Sequence, residues 1–377
     1  MDRQTELALL DELMGLSARK SAYLDEDVTY SDVAHYTDSA HFEAEMQHVF
    51  RRYPLMVAHN SELPDPGSFL RRDTARQPML ITRDSDGQVH AFINVCRHRG
   101  ARLVDETQGC KHVFSCPYHA WTWSNKGDLR GIPHRKQGFP DIDRSDYGLT
   151  RLTCAERSGW IWVVPDPSAD VDIDAHLAPL DSDLRWLDME GMVIAEQDTL
   201  VCNANWKLLV EGGIEAYHFR VAHANTIGPF FPDNLSSYQM FDRHMRSVLP
   251  RISLETLGER DREDWNIRNE ANIVYSLFPT SQWLVQQDHL VWIHMNPLAA
   301  DKSHLTLATL VPASEKGRKE HWKRNHQITM TTLQEDFELG EGIQAGMATG
   351  ANTRLTFGRY EGALNAFAKA VQSALPA

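Results

Sequence analysis

Two short pairs of cysteine and histidine constrain this chain more than any other feature. One residue separates Cys96 from His98, two separate Cys116 from His119, and seventeen lie between the pairs, giving C-x-H-x17-C-x2-H. Three structures answer such a pattern. A disulfide-tied loop is the first, but five cysteines in 377 residues are an odd, sparse set. That usage fits a reducing compartment, where cysteines stay free or bind metal. Zinc is the second, since it accepts thiolate and imidazole together. Zinc fingers, however, usually pair Cys with Cys and His with His, and here each pair is mixed. The third is a [2Fe–2S] centre with two cysteines on one iron and two histidines on the other, so that each loop serves both irons.

The chain is long enough for two domains. It is 42% hydrophobic and 24% charged, with a net charge of −14 and no polybasic run, which argues against nucleic acid and anionic membrane as partners. The start, MDRQTELALLDELMGL, lacks the basic head and apolar core of a signal peptide. No apolar stretch approaches the roughly 20 residues that span a bilayer. The expected location is the cytoplasm.

Apolar residues recur at helical spacing in TELALLDELMGL and HFEAEMQHVF, so residues 1–50 read as helical. From Pro54, short apolar runs (PMLITR, VHAFINVC, HVFSC, GWIWVVP) alternate with the turn signals DSDG, NKGD and ERSG, the texture of a β-rich domain. VPDPSADVDID reads as a linker. Beyond Trp186 strands and helices mix. Strands are expected at MVIAEQDTLVCNANW, SQWLVQQDHLVWIHMNP and SHLTLATLVP, and a helix at WKLLVEGGIEAYHFRVAH. The run from about His321 to Leu375 looks mostly helical.

The spacing of Cys96, His98, Cys116 and His119, with Arg97, Pro117, Tyr118 and Trp121 around them, resembles the Rieske domain of ring-hydroxylating oxygenases. The extra cysteines of respiratory Rieske proteins are absent. An electron carrier needs only about 100 residues, and over 200 follow here, so a second site is expected.

NWKLLVEGGIEAYHFRVAH offers Glu215, His218 and His223. A five-residue gap is awkward on a regular helix, and a π-like distortion or a helix end would turn both imidazoles toward one ion. Two histidines and a carboxylate on one face of Fe(II) leave positions open for O2 and substrate. The stretch resembles the E/D-x-Y-H-x4-H segment of the oxygenase catalytic domain, which implies that His218 and His223 bind mononuclear iron. The resemblance makes Glu215 a bridge between His218 and a cluster histidine, His98 or His119, of a neighbouring subunit in a head-to-tail trimer. LQEDFELGEGIQAGM resembles the family's late helix. By that match Asp336 is the third ligand and Glu335 the runner-up. GANTRLTFGRYEGALNAF is also similar to the family's tail. Gly212-Gly213 departs from the family's frequent Asn-Phe, either creating the distortion the histidines need or making room for substrate.

The resemblance implies an α+β fold: a β-rich Rieske [2Fe–2S] domain at 46–168 and a helix-grip (START-like) catalytic domain with an antiparallel sheet at 169–377. Residues 1–45 would pack on the latter. It implies one [2Fe–2S] cluster and one Fe(II) per chain, fed from NAD(P)H by a separate reductase, directly or through a ferredoxin. It also implies a homotrimer, with or without a β subunit. The expected activity is hydroxylation, dihydroxylation or oxidative demethylation of a small organic substrate, aromatic in one version and quaternary ammonium in another. Phe230, Phe231, Trp283 and Trp292 are candidate pocket walls, suited to a flat ring or to caging a cation. Trp121, Trp123, Trp160 and Trp162 are expected around the cluster, and Cys110, Cys154 and Cys202 are expected as buried thiols. The competing class, a non-catalytic carrier fused to a ligand-binding module, would lack one of the three iron ligands.

Overall fold

The computed structural model describes residues 1–376. The chain divides into two compact units, 50–176 and 1–49 joined with 177–377, and the boundaries fall at Phe50 and Leu177.

The first unit is all antiparallel β. A five-stranded sheet runs in the order 151–152, 89–93, 77–83, 68–74, 108–110. Its central hairpin turns at DSDG, where Gly87 takes the positive φ of +80° that the turn requires. Two three-stranded sheets complete it, one ordered 154–157, 160–163, 55–59 and the other 113–115, 122–124, 129–131. Phe69, Leu80, Phe92, Phe114, Trp121 and Trp123 fill the core beside Cys96 and Cys116.

The second unit is a seven-stranded antiparallel sheet in the order 192–202, 302–312, 290–299, 281–285, 271–277, 244–250, 237–241. The helix Lys319–Ala348 packs on strand Met192–Cys202 and on helix Trp206–Gly212. The stretch read as one strand over SQWLVQQDHLVWIHMNP is a hairpin. Its polar QQDH turns, with Gln286 N donating to the His289 carbonyl at 3.0 Å. Strands Ser237–Phe241, His244–Pro250 and Ala271–Leu277 were not anticipated from the sequence. Nor was Arg354–Phe357, which interrupts the helical C-terminal run to pair with Thr29–Asp32.

The N-terminal residues belong to this second unit. Asp2 caps helix Arg3–Ala18 by accepting from Thr5 N at 2.7 Å, and Leu10 and Leu13 are buried. Lys207 forms a buried ion pair with Glu45, which also accepts from Trp206 Nε1 at 2.9 Å. Tyr36 donates its hydroxyl proton to Glu211 Oε1 at 2.7 Å. Burial outweighs the attraction of Lys207 and pushes the Glu211 carboxyl up to about 8.

A carboxyl raised in the folded state stabilises fully below its ordinary value of 4.5 and loses that stability as pH rises through 8. Glu211→Gln keeps the acceptor for Tyr36 and removes the titration. Thermal unfolding at pH 5.5 and 8.5 is expected to show the variant gaining on the parent, by on the order of 2–4 kcal/mol at the higher pH. A constant difference between the two pH values would show that Glu211 is not held neutral.

Candidate metal centres and the cavity beside one of them

In the first unit the two Cys/His loops have one shape. Each tips an antiparallel pair, Val95 facing Arg102 and Ser115 facing Thr122. Cys96 N donates to the Ala101 carbonyl at 2.8 Å, and Gly100 N donates back to the Cys96 carbonyl at 3.0 Å. Cys116, Trp121 and Ala120 repeat both bonds at 2.8 and 3.0 Å. The fifth residue of each loop is left-handed, Gly100 at φ +78° and Ala120 at +56°.

Both cysteines are buried, and burial beside Cys116 raises the Cys96 thiol. The rings of His98 and His119 lie 4.7 Å apart, and Trp121 stacks on His98 at 4.8 Å with an interplanar angle of 5°. His98 Nδ1 is buried without a hydrogen-bond partner. A buried polar atom left unpaired is costly unless something absent from the chain binds it. Two thiols and two imidazoles, with one nitrogen orphaned, fit a [2Fe–2S] cluster. Trp121 and Trp123 belong to the core around the cysteines. Trp160 and Trp162 lie outside it on strand Trp160–Val163, where Trp160 packs edge-on against His59. Cys110 is exposed on the strand Gln108–Cys110, contrary to the expected buried thiol; Cys154 is half-buried and Cys202 buried.

In the second unit the single helix expected over 206–223 is two. Helix Trp206–Gly212 stops at Gly213, a turn carries Glu215, and a short helix spans Phe219–Ala222 with His218 and His223 at its ends. A helix end, not a π bulge, converges the imidazoles. A Cβ on Gly213 would lie 2.7 Å from Gln282 Oε1, while one on Gly212 would meet nothing within 4 Å. Gly213 admits Gln282, and Gly212 leaves space at the cavity wall.

His218 Nε2 lies 3.2 Å from His223 Nε2, and Asp336 Oδ1 lies 3.4 and 3.0 Å from the two nitrogens. One ligand atom from each of the three residues falls within 4.8 Å of the others. The far nitrogens are held by two further carboxylates. Glu215 accepts from His218 Nδ1 and Glu335 Oε2 from His223 Nδ1 at 2.7 Å, and Thr226 also donates to Glu335 at 2.6 Å. Such partners fix the tautomer that presents Nε2 to a metal. Burial alone would lower His218, but Asp336 and Glu215 overrule it and push the imidazole up to about 10. The site therefore has a potential that favours a cation, and the donor set fits Fe(II). The two acids competing for the third position divide the work: Asp336 meets the imidazoles and Glu335 orients one. An acid pair adjacent in sequence was the signal for both, yet spacing alone does not show which faces the metal.

A cavity of ≈ 130 Å³ opens beside His223 and Asp336. Its walls come from helix Trp206–Gly212, helix Lys319–Ala348 and one face of strands 271–277, 281–285 and 290–299, for example Leu209, Phe219, Val274, Ile293 and Leu333. None of Phe230, Phe231, Trp283 and Trp292 lines it. Phe230 is exposed and Phe231 packs edge-on against Phe219 at 5.2 Å. Trp283 and Trp292 face each other in the strand register and alternate with the lining residues Gln282, Leu284 and Ile293, so they point to the other face of the sheet. Alternation along the strands would have located the true lining had their register been known.

Residues 189–377 match the family model described as the ring hydroxylating alpha subunit (catalytic domain), and residues 53–153 match the Rieske [2Fe-2S] domain. The chain belongs to the Rieske oxygenase alpha subunits. It is 37% identical over 190 residues to the glycine betaine monooxygenase oxygenase subunit of Pseudomonas aeruginosa, a match covering 50% of this chain and 43% of that protein. The chain thus spans less than half the length of that relative. It is 27% identical over 375 residues to the toluate 1,2-dioxygenase subunit alpha of Pseudomonas putida, covering 86% of this chain and 80% of the relative. Among solved structures, the quaternary ammonium Rieske monooxygenase CntA in complex with L-carnitine superposes with a TM-score of 0.76 at 22% identity, over 92% of this chain and 96% of that one. That likeness shows the fold. No described helix is long and apolar enough to cross a membrane.

Proposed function

We propose that this chain is the terminal oxygenase component of a system in which a separate reductase, directly or through a ferredoxin, delivers electrons from NAD(P)H, and that it oxidises a small organic substrate with O2. The convergence of His218, His223 and Asp336 beside an apolar cavity carries the reading. Cys96 and Cys116 with His98 and His119 would hold the cluster, and His218, His223 and Asp336 the mononuclear iron. When bound, the cluster supplies single electrons and the mononuclear iron supplies open positions for O2. Glu215 and Glu335 hold the Nδ1 protons and aim Nε2 inward. The apolar walls exclude water and orient substrate. The convergence of all three candidate iron ligands speaks against the carrier-only alternative.

The two relatives act, by name, on a quaternary ammonium compound and on an aromatic acid, so both substrate bodies are carried forward. A cytoplasmic head-to-tail trimer is part of the same proposal. Metal analysis of purified protein is expected to approach about three irons and two acid-labile sulfides per chain, with the low-average-g paramagnetic signal of a Rieske centre on reduction. Stoichiometric zinc without visible absorbance would overturn the reading.

A further inference from the structure

Arg251 stands behind two side chains of the cavity wall. Its guanidinium donates to Asn272 Oδ1 at 2.7 Å and to Gln286 Oε1 at 2.8 Å. The acids whose charge reaches it are engaged elsewhere, Glu270 with Arg260 and Asp288 with His289, each at 2.8 Å. A second arginine, Arg268, donates from Nε to the Gln286 carbonyl at 2.9 Å.

A guanidinium has five donors and no acceptor, so it settles the orientation of both amides: oxygen toward Arg251, NH2 away from it. Asn272 and Gln286 both line the cavity. Among the described residues neither NH2 group has a hydrogen-bond partner, and neither is sealed from space by protein. The strand register pairs Ile273 with Val285, which places Asn272 opposite Gln286 one step further along. Gln282, which abuts Gly213 at the start of the turn carrying Glu215, lies four residues back, about 13 Å along the strand. One end of the cavity thus offers two neighbouring NH2 donors backed by positive charge, and the wall between is apolar, with Val274, Leu284 and Ile293.

We infer that Asn272 and Gln286, locked by Arg251, bind a carboxylate on the substrate. The body of the ligand then extends along the apolar wall toward the histidines. A carboxylate accepts both donors at once in charge-assisted bonds, whereas a cationic head at this end would meet only donors and a guanidinium. The inference deepens the oxygenase reading and rests on it only for which end of the ligand is oxidised. Aromatic acids and betaines share the carboxylate, so the test separates them.

Titration calorimetry of the iron-loaded protein would compare two acid and alcohol pairs, benzoate with benzyl alcohol and glycine betaine with choline. The acid of at least one pair is expected to bind at least about tenfold tighter than its alcohol, and the pair that shows the gap identifies the body. Asn272→Asp keeps an oxygen for Arg251, so a purely structural role would survive it. It turns a second oxygen toward the ligand and is expected to erase the gap. Gln286→Met, similar in length and without donors, is expected to weaken the acid alone. Equal binding of acid and alcohol, a gap retained in Asn272→Asp, or no binding of either acid overturns the inference. Binding is read without turnover. A protein that forms product with no acid preference refutes the anchor and leaves the oxygenase. An acid preference erased by Asn272→Asp supports the anchor whether or not product forms.

Discussion

His218→Ala is expected to keep the red-brown colour of the cluster while turnover falls to background. In the proposed assignment His218 belongs only to the second ligand set, and the loops holding Cys96, His98, Cys116 and His119 are closed by their own backbone hydrogen bonds within residues 50–176. Loss of one of three protein ligands leaves His223 and Asp336, a pair with too few donors for a labile divalent ion. It also removes the partner of Glu215, leaving a mostly buried carboxylate with only the backbone N–H groups of residues 217 and 218. Iron per chain should drop from about three toward two, with acid-labile sulfide unchanged. The measurement is iron and sulfide content, visible absorbance and product formation on one preparation. Substantial product from the alanine variant would refute the mononuclear assignment, and loss of the cluster would refute the independence of the two sets.

Local chemistry was legible in the sequence where residue spacing and loop geometry coincide. The C-x-H and C-x2-H pairs stand out as candidate cluster residues because each sits in one five-residue turn closed by its own hydrogen bonds, so short-range spacing suffices. The resemblance to the family's late helix named Asp336 as ligand over Glu335, and Asp336 does meet the imidazoles, but spacing alone carried no such distinction. Adjacent residues on a helix point about 100° apart, and only the packing of helix Lys319–Ala348 decides which meets the imidazoles. The cavity wall was misread for a different reason. Trp283 and Trp292 are large and aromatic, but alternation puts them on the opposite face from Gln282, Leu284 and Ile293. The hairpin joining their strands was hidden, because QQDH interrupts an apolar run without Gly or Pro. The expected long helix over 206–223 ends at Gly213, where two successive glycines weaken the helix and Gln282 occupies the space a Cβ would need.

Glu215→Gln is expected to weaken mononuclear iron by roughly 10–100-fold and to slow reoxidation of the reduced cluster many-fold in single turnover. Both carboxylate oxygens of Glu215 accept from N–H donors of its own chain: Oε1 from His218 Nδ1, and Oε2 from the backbone N of Tyr217 and, at 3.3 Å, of His218. Glutamine has one oxygen, so either way round it sets an NH2 against a donor and leaves a mostly buried group unsatisfied. If the NH2 faces His218, the ring loses the partner that fixes its tautomer, and Nε2 is no longer held toward Asp336 and His223. That loss accounts for the weaker iron. The slower reoxidation has a separate origin in the proposed trimer, where a remaining lone pair of the carboxylate would receive the ring N–H of a cluster histidine from the neighbouring subunit. The two roles come apart experimentally when iron is added to full occupancy before stopped flow. A reoxidation rate that then matches the parent would confine Glu215 to orienting His218. A rate still many-fold slower in a protein that sediments as a trimer places the carboxylate on the electron path. An iron affinity equal to the parent's would contradict the hydrogen bonding that holds His218.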